Sequence, residues 1–257
     1  MKKNLLTSFI GFAVCVGSLS AQLIITDLNT PYVIDFTGFD GSGFAPNPSA
    51  GQLDSDTWVV TGLSDGNSNF GGTYTSGDWA RGASNGGVSS GGVYAFNTGT
   101  SGVGLGVQPG GSDFTLGSMI LEIENATGTD VTLDLSYDIF YLNNEARGNS
   151  FNFAYSSNFS DFTSIGALDF TSPAASDELG WQSVSRSTSI SATISAGSTF
   201  WIAWSGDDVS GSGSRDEFAL DNISISAVPE PSTYALLAGL GMIGFVAYRR
   251  RKAAAQA

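Results

Sequence analysis

Val131-Thr132-Leu133-Asp134-Leu135-Ser136-Tyr137-Asp138-Ile139-Phe140-Tyr141 alternates apolar and polar side chains with a period of two. That is the pattern of a β-strand with one buried and one solvated face, and Phe140 is its one departure. The same spacing recurs at Phe151, Phe153 and Tyr155, and at Ile190, Ala192 and Ile194. Ile120 to Glu124 reads as a further strand, with Glu122 and Glu124 on one face. Phe200-Trp201-Ile202-Ala203-Trp204 is apolar on both faces, as a strand in the middle of a sheet would be. Phe218, Leu220, Ile223 and Ile225 form the last strand, and their change of parity at Asp221-Asn222 predicts a bulge.

Turn-forming residues separate these runs: Gly128-Thr129-Asp130, Asn143-Asn144, Ala196-Gly197-Ser198 and Gly211-Ser212-Gly213. Many short strands with such punctuation, and no long amphipathic helix or internal repeat, predict an all-β fold of the β-sandwich type over residues 22–227. Residues 62–112 hold 16 of the 34 glycines. Trp58-Val59-Val60, Val93-Tyr94-Ala95-Phe96 and Val103 to Val107 are strand candidates in and beside this region. The rest reads as long loops over one end or edge of the same sandwich, since Tyr74, Trp79 and Tyr94 exceed what a linker needs.

Composition removes several chemistries. The 257 residues contain no histidine and one cysteine, Cys15. Histidine-dependent nucleophiles and His-ligated zinc are therefore excluded. A lone cysteine within an N-terminal apolar run supplies no disulfide framework and no Cys zinc site. Charge is unevenly placed. Residues 22–248 carry four arginines, no lysine and all 24 acids, a balance of −20. Such a surface repels phosphate backbones, which excludes nucleic acid as a partner.

Both ends read as addresses. Lys2 and Lys3, the apolar run Leu5 to Val16, and Gly17-Ser18-Leu19-Ser20-Ala21 form a secretory signal peptide over residues 1–21, cleaved by signal peptidase after Ala21. At the other end Val228-Pro229-Glu230-Pro231-Ser232 precedes an apolar run, Tyr234 to Tyr248, and then Arg249-Arg250-Arg251-Lys252. The prolines are expected to keep the chain extended and delay the helix to residues 234–248. Fifteen helical residues rise roughly 22 Å, short against a core of about 30 Å, and with Ser232 and Thr233 included they could cross a thin or locally thinned bilayer, with the basic cluster left on the cytoplasmic side.

This tail resembles the PEP-CTERM sorting signal, matching it letter for letter at Pro229-Glu230-Pro231 and carrying the glycine-containing apolar run and arginine cluster in the same order. The resemblance implies that an exosortase recognises Pro229, Glu230 and Pro231 and cuts in or near the tail. The protein would be held transiently in the inner membrane, then reach the cell surface or extracellular matrix, where exopolysaccharide is a partner. The body is similar to the jelly-roll modules of secreted bacterial proteins, whose closing strand often reads like Glu217-Phe218-Ala219-Leu220-Asp221-Asn222-Ile223. These include carbohydrate-binding, concanavalin-like and galactose-binding-like domains.

Candidate sites in the body are few. Trp79, beside Asp78 and Arg81, and Trp181, after Gly180, lie in loop contexts where a flat ring could stack on a sugar, or pack under a loop. Trp58, Trp201 and Trp204 read as core. Asp216, Glu217 and Asp221 could supply oxygen ligands to Ca2+, or cap turns. Glu122 and Glu124 lie about 7 Å apart on one strand face, a carboxylate spacing compatible with glycoside hydrolysis, though a solvated face is the simpler explanation for them. The reading is a surface or matrix protein with a structural or adhesive body and no enzymatic activity. A carboxylate-dependent glycoside hydrolase is its alternative.

Overall fold

A computed structural model describes residues 23–28, 30–99, 102–177, 179–210 and 214–254. The signal-peptide segment, with Lys2, Lys3, Cys15 and the Ala21 junction, lies outside the described residues, as does the turn Gly211-Ser212-Gly213. The fold is predominantly β. Two seven-stranded sheets enclose one core as a sandwich. In the first sheet Thr199–Asp208 lies between Gly117–Asn125 and Asn149–Ser156, both antiparallel to it. Leu23–Ile25 and Trp58–Thr61 share the outer side of Gly117–Asn125. In the second sheet the order is Gln182–Ile194, Val131–Leu142, Glu217–Pro229, Val103–Gln108, Gly92–Asn97 and Ala83–Ser84, with Tyr32–Ile34 also on Glu217–Pro229. Phe39–Ala45 and Gly51–Asp54 form a separate parallel pair. From Gly117 onward the six major strands alternate between the two sheets, so each connection crosses from one layer to the other.

The expected parity of Val131–Leu142 holds as far as Ile139: Val131, Leu133, Leu135, Tyr137 and Ile139 are buried in the main core. Phe140 is buried too, on the opposite face. There it joins Tyr94, Phe96 and Ala219 in a second cluster, covered by Val88 and Trp181. The glycine-rich loops therefore lie over the outer face of the second sheet and convert its solvated side into a small interior. The central position of Phe200–Trp204 is as expected, and so is the bulge. The pairing of Glu217–Pro229 with Val131–Leu142 shifts register between Ser136 and Asp138, and Asn222 takes a φ of +52° there.

The core centres on Trp204. Its ring lies 6.1 Å from Trp58 and 6.0 Å from Phe153 in its own sheet, and 5.4 Å edge-on from Tyr137 of the facing sheet. Tyr137 also stacks on Phe153 at 5.9 Å, so one aromatic side chain from the second sheet closes a group of three from the first. Burial pushes the Tyr137 hydroxyl pKa well above its ordinary value, with the Trp204 side chain pulling it partly back.

Glycine permits two close approaches in this region. Gly106 lies under the Phe96 ring, where a Cβ would come within 2.2 Å of it. Gly43, at φ +90°, lets its strand pass Tyr74, whose carbonyl oxygen would be 2.1 Å from a Cβ. The loops are then pinned by carboxylates that accept backbone N–H groups. Asp78 is the main latch. It accepts hydrogen bonds from the Ser64 hydroxyl and the Asp65 N–H, both at 2.7 Å, and pairs with Arg81. Arg81 in turn donates to the Gly91 carbonyl at 2.8 Å. Asp113 accepts from the Ser64 N–H. Burial alone would raise the Asp78 pKa, but the Ser64, Asp65 and Arg81 contacts outweigh it and hold the carboxyl below the usual carboxylate range.

Two outcomes are expected. Trp204→Ala should cost about 3–5 kcal/mol in urea unfolding at pH 7, the range for emptying a large aromatic site in a core. Asp78→Asn should lower the thermal midpoint at pH 7. A depressed folded-state pKa contributes stability above the unfolded value of 3.8 and loses it as pH falls through the folded value. The gap between wild type and variant should therefore narrow below about pH 4. A gap that widens on acidification would show that Asp78 is not held ionised.

Candidate functional site

The C-terminal tail leaves the sandwich without slack. Glu217–Pro229 runs as a strand to the first proline of the motif, and Pro229 is still in register with Val131. The Glu230 N–H donates to the Asp130 carbonyl at 3.4 Å, and the Glu230 carboxylate accepts from the Thr193 hydroxyl. The helix begins at the next residue and spans Pro231–Ala254. The expected start at Tyr234 is thus three residues late. Proline is well suited to the first helical position, where its missing N–H would have had no partner anyway and its fixed φ is already helical. The helix also runs past the expected end at Tyr248, through the basic cluster.

Leu240, Met242, Ile243, Phe245, Val246 and Tyr248 are exposed around this helix, so its apolar character faces outward all round. Arg249 lies over the Phe245 ring at 5.9 Å, and Arg251 is exposed. The side chains of Arg250 and Lys252 lie outside the described residues. Among the described residues, no helix is long and apolar enough to cross a membrane.

A second candidate surface is the outer face of the first sheet. Val59, Ile120 and Ala203 form its floor, with Phe70 and Trp201 packed on them. Phe159 stands above, 5.5 Å from Trp201, 5.6 Å from Phe70 and 6.3 Å from Phe162. Phe159 is 43% exposed and Phe162 36%, so the cluster presents its rings to solvent. Phe159 has a φ of +61°, a conformation that costs energy for a bulky side chain. The turn is held by Asn158, whose Oδ1 accepts from the N–H groups of Ser160 and Asp161 at 3.0 and 2.9 Å.

Trp201 is therefore not core, contrary to the sequence reading, whereas Trp58 and Trp204 are. The signal was present in the strand. Residues 200, 202 and 204 share one face, so Trp201 belongs to the other. Its indole N–H donates to Glu122 Oε2 at 2.8 Å. Burial pushes the Glu122 carboxyl up, Trp201 pulls it back, and Asp56 and Glu124 add to the upward push. One oxygen of the expected carboxylate pair is thus committed to orienting a surface aromatic ring.

Trp79 and Trp181 sit elsewhere. Trp79 is half-buried against the main core, 5.0 Å from Tyr74. Trp181 is half-buried on the second sheet's outer cluster, 5.1 Å from Phe96, and its N–H donates to the Asn85 carbonyl at 2.8 Å.

The proposed trio Asp216, Glu217 and Asp221 does not converge. Among the described residues, no three acids gather as a metal-binding group. Parity is the reason. Glu217 and Asp221 share the outer face but stand about 13 Å apart along the strand, and Asp216 points to the other side. Each has its own partner: Glu145 N–H on Asp216 Oδ1 at 3.1 Å, Val88 N–H on Glu217 Oε1 at 2.8 Å, and Asn222 N–H on Asp221 Oδ1 at 2.8 Å. Burial pushes Asp216 and Asp221 up to about 6 and Glu217 up to about 7.

Comparison with known proteins gives one sequence match. Residues 227–252 match the PEP-CTERM protein-sorting motif, which implies export and exosortase-dependent sorting at the cell surface. No curated protein matches the chain. Among solved structures, the chain is similar to the K3 cleaved adhesin domain of Lys-gingipain from Porphyromonas gingivalis W83, at 11% identity and a TM-score of 0.36, over 76% of this chain and 98% of that one. It is similar to CBM28, a carbohydrate-binding module specific for non-crystalline cellulose, at 12% identity and a TM-score of 0.36, over 52% and 80%. It is also similar to the N-terminal cellulose-binding domain of Cellulomonas fimi β-1,4-glucanase C, at 12% identity and a TM-score of 0.34, over 68% and 91%.

Proposed function

We propose that this protein is exported with a cleaved signal peptide at residues 1–21, held briefly in the inner membrane by its C-terminal helix, and released to the cell surface or matrix by an exosortase acting at Pro229-Glu230-Pro231. The observation that carries this reading is the tail itself. Its sequence matches the sorting motif, and its apolar helix begins one residue after Glu230 and ends in a basic cluster. An all-round apolar surface is poorly suited to water and well suited to lipid or to a membrane-embedded enzyme.

On this reading the body, residues 22–227 with jelly-roll-like wiring, is structural or adhesive and associates with an uncharged polysaccharide. The support is the outer face of the first sheet. Phe159, Phe162 and Trp201 offer flat apolar rings, and Glu122 and Glu124 beside them offer hydrogen-bond acceptors for sugar hydroxyls. The body's acids disfavour an anionic polymer, since like charges at close range cost affinity. The chain is not an enzyme on this reading.

Intact mass of the protein recovered from medium and from membranes tests the route. The expected species begins after Ala21 and has lost the arginine cluster, and any attached group appears as added mass. Recovery of the full-length chain from the cytosol would overturn the proposal. The sugar contact is tested by affinity electrophoresis in neutral polysaccharides. Phe159→Ala combined with Trp201→Ala should weaken retention by about tenfold or more, roughly 1–2 kcal/mol for lost aromatic contacts, with the fold preserved by circular dichroism. Unaltered retention would remove this face as the site. Cleavage of any polysaccharide by wild type but not by Glu122→Gln would replace the binding reading with the hydrolase one.

A further inference from the structure

We propose that the loop cluster at the Asp216 end of the sandwich binds one Ca2+ ion through Asp216 Oδ2, Asn143 Oδ1 and Asn149 Oδ1. These three oxygens belong to residues no more than 1% exposed, and none has a hydrogen-bond partner. Buried acceptors are nearly always satisfied, so several unsatisfied ones in one place call for a missing partner.

The fold brings them together from both sheets. Leu142 is paired with Glu217, so Asn143 and Asp216 are the next residues facing each other on that ladder. Asn149 opens a strand of the first sheet and is tied to Ser172 by two bonds, its N–H to the Ser172 hydroxyl at 3.1 Å and the Ser172 N–H to its carbonyl at 3.0 Å. The Ser172 side chain is also close enough to Asp216 to pull its carboxyl pKa partly back down. Two of the three donors are already oriented. The Glu145 N–H occupies Asp216 Oδ1 at 3.1 Å, and Asn143 Nδ2 is spent on the Ala175 carbonyl at 3.0 Å, so in each case the opposite oxygen is the one left over.

Electrostatics favours a cation. The charges acting on Asp216 are those of Glu145 and Asp177, both negative. Arg215, its neighbour in sequence, turns away. Its guanidinium donates to the Gly111 carbonyl at 3.1 Å and lies in the field of Asp207, Asp208 and Asp113. A buried carboxylate surrounded by acids is costly unless a positive charge meets it. An all-oxygen donor set without sulfur or imidazole suits a hard cation rather than zinc. Ca2+ takes six to eight oxygens in flexible geometry, so water and loop carbonyls complete the shell. The set mixes one carboxylate with two amides and is not a three-acid cluster. Its low charge places the affinity in the range of extracellular modules, on the order of 0.1–1 mM.

The test uses the full-length protein in detergent, stripped with a chelator. Adding Ca2+ should raise the thermal midpoint saturably, Mg2+ should not reproduce the shift, and Tb3+ luminescence displaced by Ca2+ should give one ion per chain. Asp216→Asn should abolish the Ca2+ shift. If that variant fails to fold, Asn143→Asp, which adds a charge to the same set, should tighten binding by about tenfold. No midpoint shift up to about 10 mM Ca2+ together with no Tb3+ signal would overturn the proposal and leave the three oxygens to water. The outcome is independent of whether the aromatic face binds a sugar.

Discussion

The contact between Trp204 and Tyr137 is where the two sheets become one molecule. Trp204 lies on the middle strand of its sheet, flanked by Trp58 and Phe153, and Tyr137 reaches across from the opposite layer to meet Trp204 edge-on and stack on Phe153. Everything else is arranged around keeping those layers at that distance. Because the six major strands from Gly117 onward cross between layers in turn, each of them is joined to the next strand of its own sheet through a strand of the other, and only local pairs such as Gly92–Asn97 with Val103–Gln108 are linked directly. The outward-facing features therefore inherit the rigidity of the interior. Trp201 presents its ring at the surface because its strand neighbours Phe200, Ile202 and Trp204 are locked inside.

Much of this was legible in the residues, and the misses have definite causes. The strands Val131–Leu142, Gly117–Asn125 and Thr199–Asp208 and the bulge near Asn222 follow from apolar period and parity. The strand Gln182–Ile194 was visible only over its last five residues. Before Ile190 it reads Gln-Ser-Val-Ser-Arg-Ser-Thr-Ser, since it is an edge strand with both faces partly wet and needs little apolar content. The short strands before Gly51 have no alternation long enough to register. Phe140 departs from its pattern because a distant glycine-rich loop covers it, which no local window can reveal. For the candidate sites, the tail was readable as a linear motif. The aromatic face was not, because Phe70, Phe159 and Trp201 come from three separate segments. The metal trio failed by ignoring that neighbours along a strand point in opposite directions.

A body with 23 acids, no histidine and no lysine does not use ion pairs as its main polar cement. Two salt bridges, Arg81 with Asp78 and Arg147 with Asp208, are present among the described residues. The carboxylates instead take backbone N–H groups at loop corners: Asp78, Asp113, Asp169, Asp216 and Glu217 each hold a segment distant in sequence. Such bonds let glycine- and serine-rich loops keep a shape without a core of their own. Burial makes two of these acids, Asp216 and Glu217, reluctant to ionise.

The strand that ends at Pro229 lies in the interior of the second sheet, paired with Val131–Leu142 on one side up to Pro229 and on the other over Phe218–Leu220 and Ile223–Ile225. Trimming the polypeptide outside Pro229 therefore removes no strand pairing and no core side chain, only the Glu230 contacts to Asp130 and Thr193. Trimming a few residues further in would strip Ala227 and Ile225 from the core and open the sheet along its middle. The architecture itself thus draws a line for any enzyme that would cut in this tail, with the proline pair standing on it.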